Sequence, residues 1–329
     1  MLVLFYLKLA KFVNKAIDKN VKICYATSII KSADFKTQRR TAMPKKVVVG
    51  SGSNVTFGLL KELIEQLKAG AETGGKKGKT GDHLRAFLEG RNPFERAELE
   101  RVLPFADEQT ESSFGYPDGF RTRTVQEQLE VLKKHFPNLD ASHVQELAKG
   151  ELPEWAEGWA VIPKPEKVGT YHEALAMAID LLVKKDRKFK NWREGALTEK
   201  HLRLKEKTAQ AHAKLNKQSG DFWVIPFQFG LKWRGHSVRN AQVRFAESEF
   251  GLGPYEVAIL LLTHPDRITG QGQLYIDCAG CEYSSGADGD FSACLYFYWN
   301  DYYKPLVLYY YRTDYVYRQW GAGSGLLSQ

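Results

Sequence analysis

Apolar residues recur at helical spacing in several stretches of this chain, and some of those stretches open on a side chain able to cap a helix. Thr124 with Glu127 precedes Leu129, Leu132 and Phe136, and Thr170 with Glu173 opens Tyr171–Lys184, where Leu175, Ile179 and Leu182 share a face. In this capping box each side chain satisfies a backbone N–H that the first helical turn leaves free. Ser142 with Gln145 predicts a shorter helix, stopped at Gly150. Two further helices are expected near Ser237–Glu247, with Ser237 as N-cap, and over Pro254–Thr263, joined by the turn Phe250-Gly-Leu-Gly-Pro. Thr198–Gln218 reads as a highly charged, exposed helix, and Asp82–Glu89 as another, with Leu84, Phe87 and Leu88 on one side.

Strand patterns dominate later in the chain. Trp159-Ala-Val-Ile-Pro and Trp223-Val-Ile-Pro are two similar short strands that could pair. From Phe291 to Trp320, 13 of 30 residues are aromatic, broken by Asn-Asp and Lys-Pro. Such enrichment predicts antiparallel strands at Gln273–Glu282, Ser292–Trp299, Leu306–Arg312 and Tyr315–Trp320. Helices first and strands last give an α+β class: a helical N-terminal region, then short helices and an aromatic antiparallel sheet.

The organisation expected is a basic extension over 1–42, a helical region over 43–150 and an α+β domain over 151–329. Lys45–Val49 suggests a strand, and Phe57, Leu60, Leu63, Ile64 and Leu67 a helix; the Gly/Lys run at 70–81 is a linker. Of 329 residues, 43% are hydrophobic and 26% charged, which excludes a disordered or collagen-like chain. The formal charge is +8, yet residues 1–42 alone carry +7 and the other 287 only +1. Three readings of 1–42 stand: an appended extension ahead of a start at Met43, a basic arm for nucleic acid or a membrane surface, and an ordinary first helix. No apolar run reaches the roughly 18–20 residues of a membrane helix, and four cysteines are too few for a disulfide framework, so a cytoplasmic protein is expected.

Few motifs carry chemistry. Val47-Val-Val-Gly50-Ser-Gly52-Ser-Asn-Val55 nearly spells a dinucleotide loop, but Val55 stands where the third Gly belongs. Gly78-Lys79-Thr80 lacks the partner Gly of a phosphate loop, since Thr73 is there. Cys278-Ala-Gly-Cys281, with Cys294 and His264, makes the one donor set that suggests zinc; no other cofactor is expected. The competing reading is cysteine as a small apolar strand residue. Arg234, Arg239, Asn240 and Arg244 are side-chain types that contact phosphates and base edges, so this segment is the expected nucleic-acid surface. An enzyme would need a pocket holding groups such as His236, Asp277 or Cys278.

Three stretches together, Phe87–Phe94, Trp155–Pro163 and Phe250–Val257 running into Leu262–Arg267, resemble a family of uncharacterised proteins from candidate-phylum bacteria with small genomes. The resemblance covers the chain from about Met43 onward and implies a bacterial, cytosolic setting; no activity or site comes with it. The leading expectation is a non-catalytic binding protein, with a protein partner on the aromatic C-terminal sheet. The alternatives are a nucleic-acid-binding protein using 234–244 and an enzyme of unassigned class.

Overall fold

A computed structural model describes residues 103–185, 189–300, 302 and 305–327. The chain divides into two compact units, Met1–Asp107 and Glu108–Gln329. The expected strand at 45–49, the helices at 57–67 and 82–89, the linker at 70–81, both glycine loops and the basic extension lie outside the described residues. The unit from Glu108 is α+β. Its α-helices are α1 (Val125–His135), α2 (Val144–Leu147), α3 (Tyr171–Lys184), α4 (Glu206–Leu215), α5 (Val238–Arg244) and α6 (Pro254–Thr263). Its strands are β1 (Gly158–Pro163), β2 (Phe189–Asn191), β3 (Leu202–Leu204), β4 (Phe222–Gln228), β5 (Glu249–Gly251), β6 (Tyr275–Asp277), β7 (Cys281–Tyr283), β8 (Ala293–Trp299), β9 (Leu306–Arg312), β10 (Trp320–Ala322) and β11 (Ser324–Leu326). Among the described residues no helix is long and apolar enough to cross a membrane.

Helix α6 is the centre of the core. Its sequence, Pro-Tyr-Glu-Val-Ala-Ile-Leu-Leu-Leu-Thr, is apolar nearly all round, and all ten residues are buried. A helix with no polar face must be enclosed by other elements, and α1, α3 and β1 enclose this one. Burying it also buries its ends, whose free backbone groups need partners. The Tyr171 hydroxyl of α3 accepts from Tyr255 N–H (3.4 Å) at the N-terminus and donates to Glu256 Oε2 (3.1 Å). At the other end Thr263 Oγ1 lies 3.1 Å from the carbonyls of Ile259 and Leu260, and Lys185 Nζ donates to Leu262 O.

Both capping boxes form, at Thr124–Glu127 and Thr170–Glu173. Ser142 does not cap α2: the preceding residue is His143, without a side-chain bond, and Ser142 N–H instead donates to Asp140. The chain passes from 150 to 158 within the unit that begins at Glu108. Leu129, Leu132 and Phe136 of the α1 region and Val144 of α2 enter the same core as the sheets. The charged helix expected over Thr198–Gln218 is α4 alone, preceded by β3, and it is half-buried: Thr208, Ala211, His212 and Leu215 turn inward.

The two Trp-containing strands do pair. β1 and β4 run antiparallel with Ile162 opposite Trp223, and the sheet continues in the order β1-β4-β11-β5. The second sheet is mixed and built around β8. β9 lies along the whole of one edge of β8, while β6 and β7 share the other. β10 extends it parallel to β6, β2 parallel to β9, and β3 antiparallel to β7. The strand expected over Gln273–Glu282 is thus two strands, broken at Cys278-Ala-Gly. That break is where the loop after β5 crosses closely: a Cβ on Gly280 would sit 2.3 Å from Gly251 O, and one on Gly251 would sit 2.3 Å from the Ala279 carbonyl carbon. Tyr315–Tyr317 is irregular, and the strand begins only at Trp320.

Because both sides of that crossing are backbone, neither can yield by a rotamer change. Gly280→Ala is expected to lower unfolding stability by ~1–3 kcal/mol, read as a shifted urea midpoint with unchanged slope; an unaltered midpoint would show that the crossing relaxes freely.

Candidate functional site

Strand alternation sends successive side chains to opposite faces. In β8 and β9 the inner set is Leu295, Phe297, Leu306 and Leu308, all in the main core. Register then places Tyr296 opposite Tyr309 and Cys294 opposite Tyr311 on the outer face, with Tyr298 two residues further along β8. Asp277 pairs with Tyr296, and Trp320 with Tyr275, so these too belong to the outer face. The result is a separate aromatic cluster of Tyr275, Tyr296 and Trp320, against which Tyr298, Tyr309 and Tyr311 pack half-buried. Tyr315 and Tyr317 extend it from the loop before β10 and remain 40% and 45% exposed.

The rings are shingled. Tyr315–Tyr317, Tyr317–Trp320, Trp320–Tyr296 and Tyr296–Tyr298 have centroids 5.7, 5.3, 4.9 and 5.1 Å apart at interplanar angles of 20–40°. Rings that cover one another's faces present edges outward, and a tyrosine edge carries a hydroxyl. At the inner end of this face Asp277 is only 2% exposed, and its Oδ2 has no hydrogen-bond partner. Burial alone pushes its carboxyl up to about 7.

Of the residues singled out from sequence, Cys278, Cys281 and Cys294 lie near one another and near Asp277, whereas the basic segment is tied up elsewhere. Arg239 is locked in a two-pronged pair with Glu108, with Nε 2.8 Å from both carboxylate oxygens. Arg234 Nη1 donates to Phe114 O (3.1 Å), Asn240 is fully buried, and Arg244 is lowered to about 10 by burial. The segment 234–244 is therefore tied into the fold by these contacts. Ser237 does cap α5, accepting from Asn240 N–H at 3.1 Å.

The candidate zinc ligands have partners of their own. Among the described residues no group of three or more His, Cys, Asp or Glu side chains is arranged to hold a metal. His264 Nδ1 donates to Leu260 O (2.9 Å), which leaves Nε2 to accept from Arg123 N–H (2.9 Å), so neither nitrogen is available to a metal. Cys278, Cys281 and Cys294 are free, buried thiols; burial raises all three, Cys281 to about 12, so they stay protonated and unreactive.

Among the described residues, the groups named for an enzyme do not line the surface cleft. That cleft, of about 270 Å³, is lined by Arg121, Arg123, Glu127, Glu130, Val131, Lys134 and Asp266, and includes none of His236, Asp277 or Cys278. Two buried polar networks escaped the sequence reading. His212 Nε2 lies 3.2 Å from Glu256 Oε1, close enough for an ion pair but poorly aligned for a hydrogen bond. Arg267, fully buried, stacks its guanidinium 3.8 Å from the Tyr116 ring centre, and Tyr116 donates to Glu157. A lone Glu in the apolar run of α6 and Arg267 just beyond that run were the available signals. Comparison of the chain with protein-family models, curated proteins and solved structures finds no match.

Two pH dependences follow. Asp277 holds its proton in the folded state up to about 7, against 3.8 when unperturbed, so its contribution is most favourable below pH 3.8 and is lost as pH rises through 7. Asp277→Asn should stabilise the protein by ~1–4 kcal/mol at pH 8 and by almost nothing at pH 4, measured by urea unfolding. His264 behaves oppositely, being held down to about 4 from 6.5, so stability is lost as pH falls from 6.5 through 4. In the Asp277→Asn background that loss should reach ~2–3 kcal/mol, and a flat profile there would contradict the neutral His264.

Proposed function

We propose that this protein is a non-catalytic binding protein whose working surface is the aromatic outer face of the second sheet. The observation that carries the reading is that five tyrosines, Tyr298, Tyr309, Tyr311, Tyr315 and Tyr317, stay partly or largely exposed on one continuous face. Aromatic side chains with a polar tip are enriched where proteins bind partners. A catalytic reading has less support, because the thiols are protonated, His264 is satisfied internally and the described cleft holds paired surface charges. Nucleic acid is also less favoured. Residues 108–329 hold 27 Lys and Arg against 28 Asp and Glu, and Arg239 is neutralised by Glu108. Three free thiols support a reducing compartment, in line with a bacterial cytoplasmic setting.

Tyrosine nitration read by mass spectrometry tests this. In purified protein the five face tyrosines should react; in an extract of the source cells they should be protected, while Tyr302, 84% exposed, reacts equally in both. Equal reactivity of the five in both samples would remove the reading.

A further inference from the structure

We infer that Tyr311 and Tyr315 are an oxidative cross-linking site, which a one-electron oxidant joins into dityrosine within a single chain. The inference does not depend on what covers the aromatic face. Among the described residues the two ring centroids are 4.5 Å apart, closer than in any other tyrosine pair; Tyr309–Tyr310 and Tyr296–Tyr298 stand at 5.0 and 5.1 Å. The ring planes are tilted by 54°, so that edges rather than faces meet. Partial burial and a hydrogen bond with the Tyr315 hydroxyl both raise the Tyr311 phenol. Dityrosine forms between carbons ortho to the phenolic oxygens, so hydroxyls in contact bring the reacting carbons alongside each other.

The backbone around the pair favours closure. Tyr311 is fixed at the end of β9 by its pairing with Cys294, whereas Tyr315 lies in the irregular stretch before β10 and is 40% exposed. One partner holds still while the other, on a loop, can move the remaining distance. The rival pairs lack that freedom. Tyr296 and Tyr298 are both fixed on β8, and Tyr309 and Tyr310 are neighbours on β9 whose side chains leave on opposite faces.

The chemistry balances without any further group from the protein. Each phenol gives one electron to the oxidant and its proton to solvent, leaving a phenoxyl radical with spin on the ortho carbons. The two radicals form one carbon–carbon bond. The two ortho hydrogens then move to the oxygens, which restores both hydroxyls and both aromatic rings. The net loss is two protons and two electrons, the electrons taken by two equivalents of oxidant. The new bond ties the segment leading into β10 to the end of β9.

Exposure alone would select differently, because Tyr302 is 84% exposed and would link one chain to another. The test is photo-oxidation of the full 329-residue chain with tris(bipyridyl)ruthenium and persulfate, the ruthenium(III) complex being the oxidant, followed by tryptic peptide mapping. Arg312 lies between the two tyrosines, so trypsin separates them and the cross-link appears as two joined peptides. That joined pair is expected as the main dityrosine product of the monomer. It should be lost in Tyr315→Phe, kept in Tyr317→Phe, and lost when the chain is oxidised in concentrated urea. Linkage through Tyr302 as the main product, a joined pair that survives Tyr315→Phe or disappears in Tyr317→Phe, equal formation in urea, or no dityrosine at all would overturn the inference.

Discussion

The enclosure of α6 is the constraint on which the rest of the described fold depends. Ten consecutive buried residues cannot be covered by one layer, so α1, α3 and β1 are all recruited around them. Total burial then exports a second requirement to the neighbours, since the backbone groups at both helix ends must be met from inside the protein. Tyr171, Thr263 and Lys185 meet part of it, from α3, from α6 itself and from the residue just after α3. Glu256 extends the same logic: a carboxylate in the first turn of a buried helix gains from the helix dipole, but still needs donors. Tyr171 supplies one, and His212 approaches from α4.

The two sheets play different parts around that centre. In the first, every residue of β4 and β5 is buried. The second has one face in the core and one turned outward, the arrangement that produces alternation along β8 and β9. Aromatic residues on the outer side of such a sheet are not forced there by the core. They stand on a surface where charged residues would dissolve more readily.

Much of this was legible in the chain. The capping boxes at Thr124 and Thr170, the Ser237 cap, the α6 segment and the β1–β4 strands are local patterns, and local patterns survive folding. What failed was non-local. Arg239 reads as a free base until Glu108, distant in sequence, is placed against it. His264 and the cysteines share a ligand chemistry, but no pattern of spacing shows that His264 is consumed by the Arg123 backbone. The break at Cys278-Ala-Gly depends on a crossing with Gly251, far away in the chain. Helix α4 looked exposed because its charges are dense, although every third or fourth position, Thr208, Ala211, His212 and Leu215, carries the buried stripe. The aromatic outer face was half visible: the alternation was plain, but which set of rings stays outside is decided by the elements packed beneath.

The placing of β11 has a consequence for how the protein comes to be made. It follows every other described strand in the chain, yet it lies between β4 and β5, holding Ser324 against Gln228 on one side and Gly251 on the other. During synthesis β4 and β5 must therefore wait with a gap between them, each offering an unpaired edge, until residues 324–326 arrive. The pair of β1 and β4 can assemble early, but the sheet as a whole can lock only after residues 324–326 have emerged.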